Sequence, residues 1–295
     1  QFYQICCMRI FISSCFILLT TSVHSAESLQ LSIDSVIVEA AINTDSPINQ
    51  INIFDQRLKL LDENTPMDLG YNEKVQPFID NYLGRNKALI AKMQGLSPFY
   101  FAIFEQMLDK YNLPLELKYL PIVESALNPK AKSYSGASGL WQFMYLTGKQ
   151  YGLSVSSYID ERQDPIKSTE AACIYFTKLY DIFGNWNLVL AAYNGGPGYI
   201  QRKIANAGTN DFWKLQEHLR KETRNYIPTF IAVNYAMNYA EEHQITAILP
   251  EILFDKTDTI VLKQQVELKV LIDANAHFWK SVFYEDIYSS ISFNL

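Results

Sequence analysis

Cysteine is scarce in this chain of 295 residues, and its placement removes most of what there is. Cys6, Cys7 and Cys15 fall at the very start and Cys173 stands alone in the rest, which excludes a disulfide framework in the body of the protein. Histidine is equally thin. His24, His218, His243 and His277 are far apart, and no His-Glu-x-x-His or Cys-x-x-Cys pair exists, so no metal site is expected. Phosphate chemistry lacks its loop, because Gly195-Gly196-Pro197-Gly198 is not followed by Lys and Ser or Thr. The Gly-x-Ser-x-Gly elbow of serine hydrolases is absent as well. There is no excess of positive charge: 25 basic residues against 31 acidic ones leave a formal charge of -6. That gives no general attraction to phosphate backbones, so nucleic acid is not an expected partner.

Long apolar runs are also wanting. The best one, Ile10 to Val23, is broken by Ser13, Ser14, Thr20 and Thr21 and is shorter than the roughly 20 residues that span a membrane. Arg9 precedes it, and the small residues Ser25 and Ala26 follow. This is the shape of a secretory signal that is removed on export, expected over residues 1–25. Ile12-Ser13-Ser14-Cys15 faintly resembles a lipoprotein box, so lipid anchoring stays open.

What is present suits a packed helical protein. Hydrophobic residues make up 48% of the chain and aromatics 14%, enough for a sizeable core. Val75, Phe78, Ile79, Tyr82 and Leu83 recur at helical steps within a segment from Asn72 to Met93. Ser97-Pro98 is read as opening a separate helix over Phe99–Tyr111. Asp164-Pro165 and Gly184 punctuate the next helix with a cap, a first-turn proline and a glycine stop. Others are expected from near Asn187 to the glycine break, from about Tyr199 to Gly208, and from about Glu222 to Glu242. Thr257–Leu271 alternates and is rich in Val, Leu and Ile, as strands are. The fold class is therefore mainly α, with a helical lead-in and a short, partly β C-terminal tail.

With metals, phosphates and nucleophile elbows set aside, carboxylate acid–base chemistry remains. Glu124 stands out. On helical spacing Leu113, Leu117, Leu120 and Glu124 share one face, on a helix expected to end at Asn128-Pro129 and to bend at Pro121. An acid in an apolar stripe is desolvated, which raises its pKa and lets it hold a proton near neutrality. Trp141 is read as core, sharing a helix with Leu140 and Tyr145. Asp160, Arg162 and Asp164 are read as solvated or capping residues.

Glu124-Ser125, Ser133–Phe143 (SYSGASGLWQF), Ala191–Pro197 (AAYNGGP) and Glu222–Pro228 (ETRNYIP) stand in that order. Together they resemble the four ordered motifs of lytic murein transglycosylases, most closely the membrane-bound D branch, over about Asp62 to Glu242. The resemblance implies a lysozyme-like helical domain of the soluble lytic transglycosylase type that acts on peptidoglycan glycan strands without a cofactor. It implies Glu124 as acid and base, with Ser133 near that carboxyl and Tyr226 approaching it. Gln142, Phe143, Tyr193, Asn194 and Glu222 would contact the saccharide. Amide and hydroxyl groups suit sugar hydroxyls, and aromatic faces suit a pyranose. Gly136 and Gly139 are read as allowing tight backbone beside the ligand.

The implied reaction cuts the MurNAc–GlcNAc bond and leaves 1,6-anhydro ends. A hydrolytic, lysozyme-like muramidase and a non-catalytic wall-binding protein stand as alternatives. The expected layout is a signal at 1–25, a helical lead-in at 26–95, a catalytic domain at 96–245 and a tail at 246–295, ending where the branch often begins its LysM repeats. The expected location is the periplasm, with outer-membrane association and oligomeric state open.

Overall fold

The computed structural model describes residues 47–250. The leader and the alternating segment 257–271 lie outside them. The chain divides into two compact units after Phe54. Of the first unit only the opening of one helix is described, and the account below concerns the second.

The expected mainly helical architecture holds among the described residues. Ten α-helices are present: α1 Pro47–Asp62, α2 Gln76–Leu83, α3 Lys87–Lys110, α4 Leu120–Ser125, α5 Tyr145–Gln150, α6 Pro165–Phe183, α7 Trp186–Gly195, α8 Pro197–Ala207, α9 Phe212–Leu215 and α10 Lys221–Asn238. Short 3-10 turns occupy Leu115–Tyr119, Glu161–Gln163 and Gln216–His218. No described helix is long and apolar enough to cross a membrane.

Local chemistry explains most boundaries. Asp164 caps α6 by accepting the Ile166 and Lys167 N–H groups, both at 2.9 Å. Pro165 takes the first turn, and Gly184 closes the helix at φ 59°, as the sequence indicated. Asn185 caps α7 through the Leu188 N–H. α10 is buried along most of its length and packs against α2, α7, α4 and α3. α6 packs between α7 and α3.

Three elements differ from expectation. The segment read as one helix over 72–93 breaks at Gly84–Asn86, and α3 then runs unbroken through Pro98. A proline here frees the carbonyl four residues back. The Ser97 hydroxyl donates to that carbonyl, Gln94 O, at 3.1 Å, so the helix survives. The helix bearing Glu124 stops at Ser125 rather than Asn128, because Ala126 and Leu127 turn left-handed at φ 52° and 55° and drop Leu127 into the core. Pro121 sits in the first turn of α4, where its missing N–H costs nothing, so it starts the helix instead of bending it.

Candidate active site

The acid is placed by two short segments meeting. Leu117 and Leu120 are fully buried and anchor the 3-10 turn and the start of α4. Glu124, one turn on, is left half-buried at the helix end. Tyr226, buried in α10, donates its hydroxyl to Glu124 Oε1. Desolvation raises the Glu124 pKa to about 7; the Tyr226 hydrogen bond pulls it down, and Glu222 pushes it up. Burial and then the Glu124 charge hold the Tyr226 and Tyr193 hydroxyls far above the usual phenol range. The outcome is a carboxyl able to carry a proton at neutral pH beside two phenols that stay neutral.

The loop from Lys132 to Phe143 forms the next wall. It folds as a turn closed by isolated antiparallel bridges, Lys132 with Ser138 and Ser138 with Phe143, not as the helix read through Leu140, Trp141 and Tyr145. Trp141 is core as expected: it is 0% exposed, its indole N–H donates to Thr169 Oγ1 at 2.9 Å, and its ring meets the Phe104 and Phe176 rings edge-on. Gln142 takes the left-handed conformation at φ 48°, and its amide donates to Gly139 O at 2.8 Å. The Ser125 hydroxyl, adjacent to the acid, lies 3.0 Å from Leu140 O and ties the two segments together.

From α7, Tyr193 donates to Trp141 O at 2.6 Å, and its ring stacks on Phe176 with centroids 4.8 Å apart. Asn194 accepts from the Thr223 hydroxyl of α10 at 2.9 Å. Glu124, Tyr226, Tyr193, Gln142 and Asn194 are thus connected through one hydrogen-bonded assembly of α4, the loop, α7 and α10.

Other residues read from the sequence take different places. Ser133 is exposed, and its hydroxyl accepts the Ala137 N–H at 3.0 Å, closing the loop's own turn; the hydroxyl that ties down the acid's neighbourhood is that of Ser125. Phe143, expected against substrate, is 2% exposed and packs from the core toward Tyr193 and Tyr175. Glu222 is exposed in the first turn of α10. Gly139 does not make room for a ligand: a Cβ there would lie 1.7 Å from Arg162 O, and its φ is 87°.

Arg162, read as solvated, is 7% exposed. Its guanidinium grips Asp160 by two 2.8 Å hydrogen bonds and reaches the carbonyls of Gly136 and Phe143 at 2.8 and 3.0 Å. Nothing in the acidic run Asp160–Asp164 marks this. The available signal lay in Gly139 and Gly148, whose missing side chains make space for it. Among the described residues, no group of three or more His, Cys, Asp or Glu is arranged to hold a metal ion.

The chain is similar to known proteins over the stretch that bears this assembly. Residues 101–216 match the transglycosylase SLT domain, and the matched stretch includes Glu124, Gln142, Arg162 and Tyr193. More particularly, the chain is 34% identical over 184 residues to membrane-bound lytic murein transglycosylase D of Escherichia coli (strain K12), covering 61% of this chain and 40% of that one. It is 35% identical over 123 residues to the soluble lytic murein transglycosylase of the same strain, covering 39% of this chain and 19% of that one. The crystal structure of the 70 kDa soluble lytic transglycosylase from Escherichia coli aligns at 23% identity with a TM-score of 0.43, over 61% of this chain and 33% of that one. The chain therefore spans less than half the length of these relatives.

Proposed function

We propose that the protein is a peptidoglycan lytic transglycosylase that cuts the MurNAc–GlcNAc bond without water. One observation carries this reading: a half-buried glutamate, raised to about pKa 7 by desolvation and fixed by a buried tyrosine hydroxyl, within the stretch that matches the transglycosylase SLT domain.

The chemistry follows from that acid. Protonated Glu124 gives its proton to the bridging oxygen as the glycosidic bond breaks. The acetamido oxygen of MurNAc assists at C1, and the C6 hydroxyl of the same sugar then forms the new C1–O bond. Glu124, now a carboxylate, takes the hydroxyl proton and is restored. Most glycosidases use two carboxylates; a substrate that supplies its own nucleophile needs only one. Each proton transfer is worth roughly 10² to 10⁴-fold, and the intramolecular attack adds proximity.

In this assignment Tyr226 orients the acid, and Gln142, Tyr193, Asn194 and the exposed Glu222 bind the sugar. Phe143 supports Tyr193 from the core, and Ser133 shapes the loop. Residues 96–245 form the catalytic domain, 26–95 the lead-in and 246–295 the tail. The segment 1–25 exports the chain to the periplasm.

Mass spectrometry of the products of digested sacculi tests the reaction. Anhydro ends, lighter than reducing ends by one water, are expected. Reducing ends alone would instead indicate a hydrolytic muramidase, and intact glycan strands a wall-binding protein.

A further inference from the structure

Resting on the reading just given, we propose that Arg162 is a positioning residue for glycan cleavage. It clamps the loop 136–143 into the shape in which Gln142 meets the substrate and Leu140 braces the segment that bears the acid.

The clamp acts on the loop from three sides. The guanidinium Nη1 donates to Gly136 O and to Phe143 O, so one nitrogen joins the two ends of the loop. The backbone carbonyl of Arg162 closes on Gly139, where even a methyl group would meet it at 1.7 Å. Its aliphatic stem runs against Gly148, where a Cβ would lie 3.2 Å from Cγ and Cδ. Asp160 takes the remaining face of the guanidinium with both oxygens and holds it in plane. Next in sequence, Gln163 donates to Ser138 Oγ at 3.1 Å.

Between the clamped ends lie Leu140 and Trp141, which are tied to Ser125 beside the acid and to Tyr193, and Gln142. The Ser125 hydroxyl is shared between Pro121 O at 2.9 Å and Leu140 O at 3.0 Å, Trp141 O receives Tyr193, and Gln142 is held at φ 48°. A loop freed at Gly136 and Phe143 would shift all three together, and misplacement by about 1 Å can cost on the order of 10²-fold in rate. Lysine cannot substitute, because a single ammonium lacks the planar fork that serves a carboxylate and two carbonyls at once.

The test uses the full chain with Arg162→Lys, and with Asp160→Asn as a variant that keeps the arginine. Activity on glycan strands and hydrogen exchange of the amides at 136–143 are both read. Arg162→Lys is expected to lower kcat/KM about 10- to 100-fold, mostly through KM, and to leave the pH dependence set by Glu124 in place. Exchange in the loop should rise while the thermal midpoint of the whole chain changes little. Combining Arg162→Lys with Gln142→Ala should cost little beyond the worse single change, since both act through one loop. Asp160→Asn should follow in the same direction.

Fully additive losses, an unchanged KM, or loop exchange equal to wild type would overturn the proposal while leaving the reaction intact. A wild-type chain that fails to cut glycan strands would instead overturn the reaction reading and the catalytic role built on it. In that event the exchange measurement still reports whether the clamp orders the loop.

Discussion

At Glu124 the sign of the pKa shift fixes two opposite pH effects. A folded-state pKa of about 7 against the ordinary glutamate value of 4.5 means that folding favours the protonated acid. Stability is therefore fully present below about pH 4.5 and declines as pH rises through 7, by a ceiling of about 3.5 kcal/mol at about 1.4 kcal/mol per unit. Glu124→Gln should melt higher than wild type at about pH 8 and at the same temperature near pH 4, and on the proposed function it should abolish clearing of peptidoglycan gels. Circular dichroism melts and zymograms check the two halves. In the wild type, turnover should fall as pH rises through about 7, because the donor loses its proton. Tyr226→Phe removes the hydrogen bond that lowers the Glu124 pKa. Its alkaline limb should move up by about one unit and its maximal rate should drop, as a pH series of initial rates would show.

At the scale of elements, α3 shows how one hydroxyl changes the reading of a helix. Pro98 signals a break in sequence, and only the Ser97 contact with Gln94 O shows why there is none. The same helix carries Gly95, where a Cβ would stand 1.8 Å from Ile248 O; the Ile248 N–H in turn donates to Ala91 O at 2.8 Å. Alanine would gain up to about 1 kcal/mol of helix propensity, but the obstacle is backbone, so displacement wins. Gly95→Ala should destabilise the fold by about 1 to 3 kcal/mol and increase amide exchange at 245–249. Urea unfolding gives the first number, and exchange mass spectrometry gives the second.

Caps and acids were legible because their signals are local: Asp164-Pro165 and Gly184 bound α6, and Glu124 stands in an apolar stripe. Arg162, Phe143 and the stop at Ala126 were not legible. Each is decided by what folds over it, and burial of a charge or a left-handed turn leaves no mark in spacing. Gly139 reads as a residue beside the ligand, yet it gives way to the backbone carbonyl of Arg162, and Gly148, which carries no signal of its own, gives way to the stem of the same arginine.

Across the whole molecule, one aromatic core serves both stability and the site. Trp141 joins the loop 132–143 to α3 through Phe104 and to α6 through Phe176, and Tyr193 stacks on the same Phe176. Cys173 lies fully buried in this region, on α6, with its thiol pushed up to about 12 by burial. It should resist alkylation in the native protein and react only on global unfolding, which peptide mass mapping of label at that residue would reveal.

Among the described residues five non-glycine positions take positive φ; Ala126 and Leu127 follow the acid within three residues, and Gln142 sits in the loop braced against its helix. Such conformations cost roughly 1 to 2 kcal/mol each for side chains that prefer otherwise. For an engineer seeking a hardier variant, glycine at these positions is the tempting repair. It would relieve the tension and loosen the seat of Glu124 at the same stroke, so on the proposed function thermotolerance won there should come at the expense of turnover.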